Sequence, residues 1–125
     1  MKSRRKPTDA EVAILRVLWA RGPSTVREVA EAMGRENAYT TILKLLQIMT
    51  DKGLVRRDES ERTHVYKATA TEDQTKRQLV AELVDKVFEG SPAKLVMQAL
   101  SAGKASPEEI AEIRRLLDAH RGGRR

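Results

Sequence analysis

Few side chains in this 125-residue sequence could make or break a covalent bond. There is no cysteine, which removes disulfides, thiolate zinc sites, iron–sulfur clusters and thiol nucleophiles together. The two histidines, His64 and His120, are far apart and share no metal-ligand or triad spacing, and no glycine-rich loop follows a strand. Neither catalysis, metal nor cofactor is expected. The chemistry on offer is that of contacts. Thr40 and Thr41 each carry a methyl that suits a thymine and a hydroxyl that suits a base edge or a phosphate. Tyr39 and Lys44 have the reach for backbone phosphates, as have Arg56, Arg57, Arg62 and Lys67 further on. His64 stands among the latter as a cross-strand or nucleic-acid-facing residue.

What must position these residues follows from apolar spacing. Thr8-Asp9-Ala10-Glu11 has the form of a capping box, and Ala10, Ala13, Ile14, Val17 and Leu18 then mark one stripe of a helix that Gly22-Pro23 stops. Thr25 with Glu28 repeats the device, and Val26, Val29, Ala30 and Met33 give a second short helix. Asn37 can cap a third, whose inward stripe is Ile42, Leu45, Leu46 and Met49 and whose end is Lys52-Gly53-Leu54. On that helix the outward residues are Tyr39, Thr40, Thr41, Lys44, Gln47 and Asp51. Two β-prone runs, residues 54–58 and 62–67, joined by Glu59-Ser60-Glu61, read as a hairpin.

Helix, helix, helix, hairpin is the order of a winged helix-turn-helix, in which the third helix lies in the DNA major groove. The expected fold is therefore mainly α with a small β wing: residues 1–70 a DNA-binding domain behind a basic tail, and residues 71–125 a helical domain ending in a second basic tail. Ser24, Thr25 and Arg27 open the second helix, where free amides and the positive dipole end suit a phosphate. With the cap Asn37 they join Tyr39, Thr40, Thr41, Lys44, Arg56, Arg57, Arg62 and His64 as candidate DNA contacts. Asp58, Glu59 and Glu61 leave the wing mixed in charge, and capping alone would equally explain Ser24 and Thr25.

Charge fits this division in part. Residues 1–70 hold 14 Lys/Arg against 9 Asp/Glu, whereas residues 71–125 hold 10 against 9. Lys2, Arg4, Arg5 and Lys6 supply most of that excess, so the spacing of motifs carries the argument. The basic run leads into an acidic helix start, unlike a secretory leader, and the apolar stretch from Val12 to Ala20 is broken by Arg16 and too short to cross a bilayer. A cytoplasmic protein with no membrane insertion is expected.

Past Thr71, Leu79, Val80, Leu83, Val84, Val87 and Phe88 form a wide apolar band on one long helix. Gly90-Ser91-Pro92 opens another, carrying Leu95, Val96 and Leu100, and Ser106-Pro107 a last one, carrying Ile110, Ile113, Leu116 and Leu117. The glycines after Arg121 suggest a frayed end. Three helices have too little partner surface of their own to cover such a band. It packs either on the N-terminal domain or, the preferred reading, on a second copy of the chain, making a homodimer.

Laid out this way, the sequence resembles the penicillinase-repressor (BlaI/MecI/CopY) family of bacterial winged-helix repressors from about Thr8 to Leu117. The resemblance is carried by Thr8-Asp9-Ala10-Glu11, Val17-Leu18-Trp19, Thr25-Val26-Arg27-Glu28-Val29, Ala38-Tyr39-Thr40-Thr41-Ile42-Leu43, Lys52-Gly53-Leu54, His64-Val65-Tyr66, Gly90-Ser91-Pro92 and Pro107-Glu108-Glu109-Ile110, in that order. It implies a homodimer with interlocking C-terminal helices that sits on inverted-repeat operators, often with TACA and TGTA cores. It implies too that Ala38-Tyr39-Thr40-Thr41 begins the recognition helix. It also brings in a membrane-bound sensor protease as a candidate partner, which in the best-known members cuts at an Asn-Phe pair. The matching stretch here is Met97-Gln98-Ala99-Leu100, without that pair, and a chain without cysteine cannot use the copper-sensing branch's thiols. Two other readings stay open: a winged-helix module that binds protein and no DNA, and a regulator induced by a small molecule.

Overall fold

The structure, a computed structural model, describes residues 6–124, with side chains as far as His120. Lys2, Arg4, Arg5 and Arg125 of the two basic tails lie outside the described residues.

Helix α1 (Asp9–Arg21) starts as its capping box dictates: the Thr8 hydroxyl accepts from the Glu11 amide, and the Glu11 carboxylate accepts from the Thr8 amide at 2.9 Å. Its buried face is Ile14, Leu15 and Leu18. Leu15 was not on the expected stripe, and Ala10, which was, is exposed. The face is turned because α1 packs against both the second helix and the hairpin. Helix α2 (Val26–Ala32) repeats the box with Thr25 and Glu28 and buries Val26, Val29 and Ala30.

The third helix departs from expectation at its start. Asn37 caps nothing; it lies within a 3-10 turn, Glu36–Ala38, and helix α3 (Tyr39–Lys52) follows with no side-chain cap. Its end is as the sequence suggests. Gly53 takes the left-handed conformation (φ 83°), its amide donates to Thr50 O, and the Leu54 amide reaches back to Met49 O at 2.9 Å, a Schellman closure. Ile42, Leu46 and Met49 are fully buried.

Strands β1 (Val55–Asp58) and β2 (Val65–Ala68) pair antiparallel, with Arg56 opposite Lys67 and Arg57 opposite Tyr66. The connection takes six residues, 59–64, so Arg62 and His64, expected in the second strand, belong to the wing loop. Ser24 adds a third, one-residue rung. Its amide and carbonyl exchange hydrogen bonds with those of Tyr66 at 2.9 and 2.8 Å. Helices α1 to α3 and the hairpin enclose a core that is aliphatic except for Tyr66, with Trp19 packed at its margin and donating to Ala70 O at 3.0 Å.

The chain divides into two compact units between Val80 and Ala81, within helix α4 (Glu72–Val87) and ten residues beyond the change in composition near residue 70. Thr71 and Gln74 cap α4 reciprocally. Helix α5 (Pro92–Ala102) is capped by Ser91, and α6 (Pro107–Arg124) by a Ser106–Glu109 box. Instead of fraying, α6 continues through Gly122 and Gly123 to Arg124. Between residues 81 and 120 only Val84 is buried.

Candidate nucleic-acid interface

A groove of about 680 Å³ runs between the start of α2, the start of α3 and the wing loop. Thr25, Arg27, Glu28 and Glu31 line it from α2, Tyr39 and Leu43 from α3, and Arg62, Thr63 and His64 from the loop, over Tyr66. The capping box of α2 sets this wall: Glu28 turns its carboxylate back to the Thr25 amide at 2.9 Å, leaving Arg27 to project outward. The Ser24–Tyr66 rung fixes the wing's base against the same helix start.

That rung also settles the wing's two faces. Tyr66 spends its backbone groups on Ser24, so it faces Arg57 as a non-hydrogen-bonded pair, the geometry that brings side chains closest. The Arg57 guanidinium bonds both the Tyr66 hydroxyl and the Glu59 carboxylate, the latter at 2.6 Å, and these partners hold it charged above its already high ordinary value. Arg57 is thus committed within the wing. Arg56 and Lys67, opposite each other, stand on the other face of the hairpin. At the tip, Asp58 accepts from the Ser60 amide at 2.9 Å, and Ser60 holds its carboxyl below the usual range.

The sequence-predicted contacts therefore separate into groups. Thr25, Arg27, Tyr39, Arg62 and His64 come together along the groove. Thr40, Thr41 and Lys44 are exposed on the adjoining outward face of α3. Ser24 is corrected: it is 1% exposed, with its hydroxyl donated to Gly22 O, and serves the sheet rather than a phosphate. Asn37 is exposed but lies in the 3-10 turn and not in the cap. Arg56 does not share the groove face, and Arg57 is engaged. Among the described residues, ion pairs engage Lys52, Arg57, Lys76, Arg77, Lys94 and Arg115, and Arg27, Lys44 and Arg62 are in none of them. Ile48, also exposed on α3, carried no signal as an apolar residue near a polar face.

The C-terminal residues expected at a dimer interface divide as well. Val80, Leu83, Val87, Val96, Leu100, Leu116 and Leu117 are exposed, Val87, Leu116 and Leu117 to 60% or more. Leu79, Phe88, Leu95, Ile110 and Ile113 are half-buried. Val84 is already covered in the single chain and is withdrawn from the exposed face. No helix of the described residues is long and apolar enough to cross a membrane.

A family model described as penicillinase repressor matches residues 7–119. The chain is similar to the transcriptional regulator BlaI of Mycobacterium tuberculosis, with 43% identity over 61 residues, 46% of this chain and 44% of that protein. It thus spans less than half the length of that relative. It is similar over 97% of its own length, and 96% of the other's, to the penicillinase repressor of Bacillus licheniformis at 23% identity. It is also similar to the methicillin resistance regulatory protein MecI of Mammaliicoccus sciuri, at 23% identity over 89% of this chain and 92% of that one.

Proposed function

The chain belongs to the penicillinase repressor family, and we propose on that footing that it is a transcriptional repressor, not an enzyme, binding operator DNA as a homodimer in the cytoplasm. The observation that carries the reading is the groove continuous with the outward face of α3. One wall holds Arg27, the other Arg62, and Lys44 stands on the outward face of the helix, between the two threonines around the axis and opposite the core stripe. A phosphodiester strand lying along the groove meets Arg27 and Arg62, while the first two turns of α3 enter the major groove with Thr40 and Thr41 at base edges.

Dimerisation supplies the second half-site. A C-terminal unit with Val84 as its single buried side chain among residues 81–120 lacks a core of its own, and its exposed leucines and valines gain one from a second copy. Two α3 helices held one turn of DNA apart then suit an inverted repeat. Release follows from loss of that dimer, and a membrane-bound sensor protease acting on α5 is one candidate agent.

The test is fluorescence anisotropy of a labelled duplex carrying a TACA/TGTA inverted repeat against a scrambled duplex at physiological salt. A preference of about 10³-fold with two chains per duplex is expected. Absence of binding even at low salt overturns the reading in favour of a protein-interaction module.

A further inference from the structure

We propose that Ile48 is a specificity residue, seated on the 5-methyl group of a thymine in the major groove. The inference rests on the repressor reading above and adds a purely apolar contact further along α3 than the two threonines. Ile48 is 41% exposed and takes no part in the stripe of Ile42, Leu46 and Met49 that anchors α3. At about 100° per residue it lies about 40° around the helix from Lys44 and about 20° from Thr41, one turn beyond the first and two beyond the second. It therefore belongs to the same outward face.

What surrounds it argues against phosphate as its neighbour. Asp51, on that face and less than a turn further on, is an anion. Lys52, the last cation of the helix, has its ammonium on the Glu11 carboxylate at 2.8 Å. The second half of α3 thus offers a phosphodiester no free cation. An exposed aliphatic side chain there complements base edges, and the thymine methyl is the apolar group that B-DNA presents in the major groove. Isoleucine also suits the task entropically, since its branched Cβ holds one dominant χ1 rotamer in a helix and little freedom is lost on contact.

The experiment uses the full chain and the tightest duplex enriched from a randomised pool. Each thymine of that duplex is replaced in turn by uracil, which deletes the methyl and leaves pairing and the polar edge intact. Anisotropy titrations are run with wild type, Ile48→Ala and Ile48→Val. We expect one position per half-site at which uracil weakens wild type about four-fold, the value of one buried methyl-sized group. Ile48→Ala should bind the thymine duplex at least four-fold more weakly and be indifferent to uracil at that position, with Ile48→Val between the two. Alanine is a strong helix former at an exposed site, and the valine variant answers the question independently should alanine disturb the fold. If Ile48→Ala keeps the wild-type thymine-to-uracil ratio at every position, this inference fails while the repressor reading stands. If no duplex is enriched over the pool, both fall.

Discussion

The Glu11 carboxylate accepts hydrogen bonds from Lys52 Nζ at 2.8 and 3.0 Å, tying the first turn of α1 to the last turn of α3 across 41 residues of sequence. The same carboxylate closes the α1 capping box, so one nearly buried side chain (3% exposed) serves the start of α1 and the end of α3. Glu11→Gln should cost about 2 kcal/mol in urea unfolding, because it strips Lys52 of its counter-charge while keeping the shape. Lys52→Met should cost at least as much, because it leaves the more deeply buried Glu11 carboxylate without its counter-charge. A Glu11→Gln variant within 0.5 kcal/mol or so of wild type would show that the pair is incidental.

Thr40→Ala and Thr41→Ala should each weaken operator binding about 20-fold, the worth of a neutral hydrogen bond plus a methyl contact, and leave binding to random duplex almost unchanged. Equal losses on both duplexes would move these threonines from the bases to the phosphates.

The wing cations should differ although their chemistry is alike. Arg62 faces the groove without an internal partner, whereas Arg57 is held by Glu59 and Tyr66. Arg62→Ala should lower the slope of log K against log salt by about 0.9, one phosphate's worth, and Arg57→Ala by clearly less. Equal slopes for the two variants would contradict the geometry of the wing.

Asp58 gives the wing tip a pH dependence. Its folded pKa is lowered by Ser60, so its contribution to the turn is complete above the unfolded value of about 3.9 and is lost as pH falls through the folded one. Carboxyl NMR should place its midpoint below that of an aspartate in the denatured chain, and Ser60→Ala should raise it. The Ser60 amide, the larger cause, survives in that variant, so the rise should be partial; a wild-type midpoint no lower than that of the denatured aspartate would overturn the assignment.

Val87→Asp and Leu117→Asp place charges on the exposed apolar face of the C-terminal helices. In sedimentation equilibrium the wild type should be dimeric and these variants monomeric. Affinity for the operator should drop at least about 100-fold as avidity is lost. A variant that stays dimeric would put the interface on another surface.

The elements of this fold are legible in the sequence because local chemistry fixes them. Thr8–Glu11 and Thr25–Glu28 announce two helix starts, and Gly53-Leu54 an end. The outward residues of α3 follow from the inward ones by helical geometry alone. What escaped is long-range. Neither the pairing of Glu11 with Lys52 nor the bridge of Ser24 to Tyr66 leaves a local trace, and so Ser24 was misread as a surface contact. Asn37 misled for the opposite reason: it is a good cap by type, but the chain enters α3 through a 3-10 turn that needs none. Arg56 and Arg57 are neighbours of one charge, and only the register of the hairpin tells them apart.

The one-residue rung made by Ser24 also bears on how copies of this protein behave when crowded. A two-stranded hairpin has two raw edges, each able to template another chain. Ser24 covers the edge of β2 at Tyr66 from within the same molecule, and the edge of β1 is four residues long with Arg56, Arg57 and Asp58 among them. Such an edge is too short and too charged to seed a growing sheet. A second copy packed on the C-terminal helices as proposed would therefore open no route to strand-by-strand aggregation.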